Sequence, residues 1–151
     1  MAQKCPPFGV YNFMNTALTI DGVMVQGYAE GDDAISIEPF KELSTPVVGA
    51  DGASLVAINA SQAATVTIKL LASAPMNKWL WNRVARMRSG ALTGVTFALG
   101  FTDLSLGETG GCTTAIIQAE ANIQRGERAT DMEWKFFCPC WQPGTVDVIR
   151  N

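Results

Sequence analysis

The sequence predicts a mainly β protein, an antiparallel β-sandwich or barrel with one packed α-helix, and three observations carry that prediction. Short β-rich runs recur along the chain with turn residues between them. A single stretch, residues 73–89, changes to helical period. The regular strand–helix alternation that builds parallel sheets is missing. At 151 residues the chain fits one domain, 1–151, large enough for a real core, with residues 1–10 and 141–151 as terminal arms.

The first element is "YNFMNTALTI", which runs through Asp21-Gly22 into "VMVQGYAEG". That dipeptide is among the most favoured at tight hairpin turns, so a hairpin is predicted. "AISIEPF" is a shorter strand that Pro39 finishes at an edge or bulge, since proline gives no N–H to a ladder. "STPVVGADGAS" has the Ser, Pro, Gly and Asp density of a projecting loop, flexible by composition over residues 44–54. "LVAIN" is a short strand. "AATVTIKLL" alternates cleanly, with Thr65, Thr67 and Lys69 on a wet face and Val66, Ile68 and Leu70 on a dry one. In the helical stretch, Met76, Trp79, Leu80, Val84 and Met87 share a face expected to meet the sheet. Ser73 is available as N-cap, Pro75 fits the first turn and Gly90 ends the helix. Beyond it, "GVTFALGFTDL", a Gly-rich loop "SLGETGG", "CTTAIIQAEANIQ", a charged turn "RGERA" and "TDMEWKFFCPC" supply three or more strands, the last two forming a second hairpin.

Composition narrows the function. Hydrophobic residues make up 48% and charged ones 17%, against roughly 25% charge in an average soluble domain. So little charge leaves a monomer's surface thinly coated, and part of it is expected to meet protein. The net charge of −3 and a pI near 4.8 argue against a protein that grips nucleic acid, because phosphate affinity comes from clustered Lys and Arg. Histidine is absent, which removes the commonest general base near neutral pH. No run of 18 apolar residues is present and the first ten residues lack a signal-peptide core, so no membrane insertion and initial residence in the cytoplasm are expected.

Chemistry-bearing clusters are few. Gly-Glu-Thr-Gly-Gly lacks the strand-to-helix context of a phosphate loop. Asp32 with Asp33, and Glu120 with Glu127, read as solvated strand and turn charges rather than an acid–base pair. No cofactor, metal site or enzymatic activity is therefore expected. The outer helix side carries Lys78, Arg83, Arg86 and Arg88, either as a solvated face favoured by the helix dipole or as a docking face for an acidic neighbour. Cys138 and Cys140 flank Pro139, a spacing of one residue that suits neither a Cys-x-x-Cys redox centre nor the usual zinc spacing. Buried free thiols are one reading of these cysteines and a covalent staple another.

The segments "YNFMNTALTIDGVMVQGYAEGDDAISIEPF", "VVGADGASLVAINASQAATVTIKLLASAPMNKWL" and "DMEWKFFC" together resemble tail tube proteins of contractile-tailed bacteriophages, over roughly residues 10–140. Neither the N-terminal extension with Cys5 nor the Cys-Pro-Cys ending belongs to that pattern. The resemblance implies a structural virion protein of the tail, assembled in the host cytoplasm as hexameric rings that stack into an inner tube. Its partners would be other copies of itself, the tail sheath, and the baseplate and tail terminator proteins, with DNA passing through the lumen without specific binding. It implies further that the Asp21-Gly22 hairpin lines the lumen, that Thr45, Pro46, Gly49, Asp51 and Gly52 reach the next ring, and that Lys78, Arg83, Arg86 and Arg88 face the sheath. Cys5, Cys112, Cys138 and Cys140 fall where a tube subunit would touch its neighbours, and are candidates for intersubunit disulfides formed after release from the cell. Two alternatives share parts of this reading: the tube of a secretion or bacteriocin machine, and a monomeric ligand-binding β-barrel with an apolar cavity.

Overall fold

The computed structural model describes residues 5–145. Its elements are β1 (Thr16–Ile20), β2 (Val23–Met24), β3 (Ile35–Pro39), β4 (Ser44–Val48), β5 (Ser54–Ile58), β6 (Ala64–Leu70), α1 (Met76–Arg88), β7 (Phe97–Asp103), β8 (Glu108–Ala119), β9 (Met132–Cys138) and β10 (Gln142–Thr145). The predicted fold class holds: the protein is mainly β, its paired strands are antiparallel, and one helix packs on them.

Asp21 and Gly22 take φ of 53° and 83°, the left-handed pair of a type I′ turn whose twist matches the strands it joins. β2 stops after two residues, earlier than the sequence suggests, because the chain turns away at Gly27. There Tyr28 bridges to Leu70, and the Ala29 N–H donates to the Lys69 carbonyl. Gly27 has φ 80°, and a Cβ on it would lie 2.8 Å from the Ala74 Cβ; both the angle and the space require glycine. Pro39 ends β3 as expected, and among the described residues β3 is an edge strand pairing only with β6.

The strands follow the order β2-β1-β7-β8-β9-β6-β3, and β8 is the hinge of the arrangement. Its residues 108–111 lie between β7 and β10, while residues 116–119 pair with β9. Two bulges bend it. Cys112 to Ala115 spans three steps against two on β7, from Leu99 to Phe97. Ile117 to Ala119 spans two steps against one on β9. Such bends let one strand pass from one sheet to another packed across it. β9 and β10 behave as one long strand interrupted at this corner. Phe137 pairs with Ile116 before it and Gln142 with Gly111 after it, an advance of five residues on both strands, so register survives the break. Pro139 sits in the interruption, where it has no ladder bond to lose. Two expectations are corrected here. The Gly-rich "SLGETGG" is a loop only as far as Gly107, β8 beginning at Glu108, and residues 142–145 of the expected C-terminal arm form β10. The rest of that arm, 146–151, and residues 1–4 of the N-terminal arm lie outside the described residues.

One core lies under the helix, drawn from α1 and from β1, β6, β7, β8 and β9 of the bent eight-stranded sheet. The alternation read in β6 is present, with Val66, Ile68 and Leu70 fully buried. Leu18, Ile20, Trp134, Phe136 and Leu80 are fully buried with them, so the interior is filled by side chains rather than hollow. Helix α1 buries Met76, Leu80 and Val84 as expected, while Trp79 and Met87 are half-buried at the margin. Trp81, on no predicted face, meets Trp134 edge-on at 4.9 Å. Ser73 does not cap the helix. Pro75 occupies the cap position without a side-chain bond, and the first turn is tied down by Asn77. This buried side chain donates to the Leu71 carbonyl at 2.9 Å and accepts the Trp134 indole N–H at 3.0 Å. Losing that indole donor would strand the buried Asn77 oxygen at a cost of roughly 1–3 kcal/mol. Gly90, at φ 82°, closes the helix with its N–H on the Met87 carbonyl.

Candidate assembly interface

The expected loop over residues 44–54 is a β-hairpin. β4 and β5 pair with each other in a two-stranded sheet of their own, from Ser44 opposite Ile58 to Val48 opposite Ser54. The tip is tight. Gly49 N–H donates to the Ala53 carbonyl at 2.7 Å, Asp51 Oδ1 accepts the Ala53 N–H at 3.1 Å, and Gly52 takes φ 88°. Thr45 and Pro46 therefore lie in the first strand, and Gly49, Asp51 and Gly52 in the turn. The cross-strand register puts Val47 and Leu55 on one face and Val48, Val56 and Ile58 on the other. All five are between 53% and 80% exposed. From Leu43 to Ala60 the single charge is Asp51. A lone two-stranded hairpin is marginal in water, and this one has neither a covered face nor the edge charges that keep exposed strands apart. Among the described residues nothing covers its apolar faces.

The four cations of α1 do not form one open face. Arg83 is engaged inside the subunit: its guanidinium stacks on Trp79 at 4.4 Å from the ring centre, donates to the Gly94 carbonyl, and lies 3.7 Å from the Asp21 carboxylate. It ties the helix to the β1–β2 turn and the segment before β7, with 15% of its side chain exposed. Its expected outward role gives way to this clamp. Arg88 pairs with Glu120, and Arg86 lies against Gly94, where a Cβ would collide with its guanidinium. Lys78 is exposed and, among the described residues, forms no ion pair. Asp33, one of the carboxylates weighed in the sequence, bonds Lys69 at 2.6 Å, which holds its pKa below the ordinary carboxylate value and raises that of the lysine.

The sequence matches the family model described as bacteriophage PhiTE tail tube protein over residues 8–143. The chain belongs to this tail tube family. It is a structural component of the phage tail, which accords with an apolar, charge-poor surface. Among curated proteins none matches the sequence. Solved structures share the fold at low identity. The sheath/tube terminator of an extracellular contractile injection system in its extended state is 11% identical with a TM-score of 0.60, over 95% of this chain and 100% of that one. The sheath–tube complex of such a system, also extended, gives 11% and 0.60 over 93% of each chain. The tube-terminating cap of the anti-feeding prophage gives 9% and 0.54 over 97% of this chain and 95% of that one.

In this tail tube protein the Cys-Pro-Cys stretch is the corner at which β9 hands over to β10. Regular pairing lapses there, and the two thiols part. Cys138 is fully buried beside Cys112, and burial together with that neighbour pushes its pKa up to about 12. Cys140 is exposed, with its sulfur 3.3 Å from Gln62 Oε1. Cys5 is exposed on the N-terminal arm. Of the four candidates for intersubunit bonds, then, Cys112 and Cys138 sit inside the subunit, while Cys5 and Cys140 sit where a neighbour can reach them. The sequence reading missed Asn77, β10 and the hairpin's apolar faces. The last had a visible signal, since Val47, Val48, Leu55, Val56 and Ile58 are strand formers outnumbered locally by turn residues.

Proposed function

We propose that the chain polymerises as stacked hexameric rings into the inner tube of a contractile tail, through which the genome is delivered. The observation that supports this most is the β4–β5 hairpin, whose two apolar faces have no partner among the described residues. Seated on neighbouring subunits, Thr45, Pro46, Gly49, Asp51 and Gly52 would bring the hairpin tip to the next ring. The Asp21-Gly22 hairpin contributes to the lumen wall, and the chain's net charge of −3 keeps that wall from holding DNA phosphates. The sheath lies against the side of the tube on which Lys78, Arg86 and Arg88 remain exposed. Baseplate and terminator proteins close the two ends, and assembly takes place in the host cytoplasm. Function consists of conduit and piston, with no bond made or broken. Deleting residues 46–52 tests the reading: the subunit should fold with its near-UV circular dichroism retained and fail to form tubes. Tubes of normal length from the deletion would overturn it.

A further inference from the structure

We propose that the N-terminal arm of one copy, Cys5–Tyr11, docks as an extended proline rod into the Phe40–Trp141 groove of the next copy, setting Cys5 beside Cys140. This rests on the assembly reading above and names a contact within it.

The groove has a volume of about 980 Å³ and is lined by Ile37, Pro39, Phe40, Leu43, Trp141 and Pro143 among others. Its aromatic rims are fixed. The Phe40 N–H donates to the Ala63 carbonyl at 2.9 Å and the Trp141 N–H to the Gln62 carbonyl at 2.9 Å. Phe40 also packs edge-on to Phe137 at 5.3 Å, and Trp141 lies over Gly110, where any side chain would strike the indole. Such preformed aromatic clefts take polyproline segments, whose conformation costs little further entropy on binding. The groove also opens beside Leu43, at the foot of the hairpin that carries the assembly contact.

The arm has the matching chemistry. Cys5–Tyr11 reads Cys-Pro-Pro-Phe-Gly-Val-Tyr, every residue exposed, with Phe8 at 91%. Pro6 and Pro7 hold its first three residues extended, and the whole arm reaches about 22 Å if all of it follows at ~3.1 Å per residue. Its anchor is Asn12, whose N–H donates to Ser105 Oγ. Phe13 there shares a cleft with Ile35, at the opposite end of β3 from Pro39 and the groove. Arm root and groove are thus different patches on one subunit, and a head-to-tail contact between them repeats from copy to copy, as rings and filaments require. The thiols fit the same register. Cys5 opens the proline rod, and Cys140 stands at the rim, on Gln62. They are the two exposed cysteines of the chain.

The test uses full-length protein with oxidised glutathione. Cys5 of one copy and Cys140 of the next each lose a proton and together pass two electrons to the glutathione disulfide, forming one protein disulfide and two glutathione thiols. Non-reducing electrophoresis of assembled protein should then show an open ladder, absent from Cys5→Ser and from Cys140→Ser. A band confined to dimer that survives Cys140→Ser, or a link within one chain, overturns the proposal. A second arm does not depend on tubes. A fluorescent peptide of residues 3–13, with serine in place of Cys5, is titrated with full-length Phe8→Ala protein, whose groove is free of a competent arm. Saturable binding, at least tenfold weaker for the peptide that itself carries Phe8→Ala, is expected. Failure to bind overturns the docking even where tubes form, whereas binding without tubes supports it and counts against the assembly reading.

Discussion

Replacing Leu55 and Ile58 by serine should separate assembly from folding, and the size of the effect follows from exposure. These side chains are 73% and 80% exposed in the subunit, so most of their transfer free energy is unrealised until a neighbour covers them. Full burial of a leucine or isoleucine contributes about 1.5–3 kcal/mol. The three-quarters still available amounts to about 1–2 kcal/mol each, or roughly 2–4 kcal/mol for the pair. That corresponds to roughly a 30- to 1,000-fold change in the subunit association constant. The isolated subunit should respond little, since exposed substitutions usually stay within ~0.5 kcal/mol each, a shift below about 4 °C in Tm for the pair in a chain of this size. Sedimentation of tubes against total protein concentration gives the critical concentration, and differential scanning calorimetry below it gives the subunit's Tm. An unchanged critical concentration would refute the assignment of the hairpin as the assembly contact. A large fall in Tm would refute the claim that it stands clear of the core.

Reversing Lys78 and Arg86 to glutamate together should reduce sheath co-assembly, read by pelleting sheath with preformed tubes, while bare tubes form as before; undiminished sheath binding would make that helix side merely solvated. Cys138 predicts a pH dependence. Its pKa is raised from an ordinary 9.0 to about 12 by burial, so the folded state retains a proton that the unfolded chain releases. Its contribution is complete below pH ~9 and is lost as pH rises toward 12, at up to about 1.4 kcal/mol per pH unit. Urea unfolding of Cys138→Ala should show a shallower decline than the parent between pH 9 and 10, and parallel curves would contradict the assigned cause.

Much of the fold was legible because local signals and burial agree. In β6 the two-residue period and the buried face coincide, and at Asp21-Gly22 the turn chemistry and the register coincide. The failures came where a residue serves a purpose set far away in sequence. Gly110 and Gly111 look like loop, yet they lie in β8 because the Trp141 ring needs a bare backbone at Gly110. Pro46 looks like a strand breaker, but both strands of a two-stranded hairpin are edges, where a missing N–H costs little. Arg83 looks like a surface cation until the Trp79 ring, the Gly94 carbonyl and Asp21 converge on it. The four cysteines are alike in sequence, and the corner between β9 and β10 sorts them. None of these is a periodicity, so none shows in one sequence. Residues 44–54, expected as a flexible projecting loop, fold instead as most of a hairpin with two apolar faces.

Electron microscopy of the purified full-length chain at high concentration shows whether this tail tube protein builds a hollow polymer from rings of itself. Tubes with a stain-filled lumen are expected, whose end views average to six subunits joined in a closed ring. Well-folded monomers without rings or tubes at any concentration would contradict that assembly.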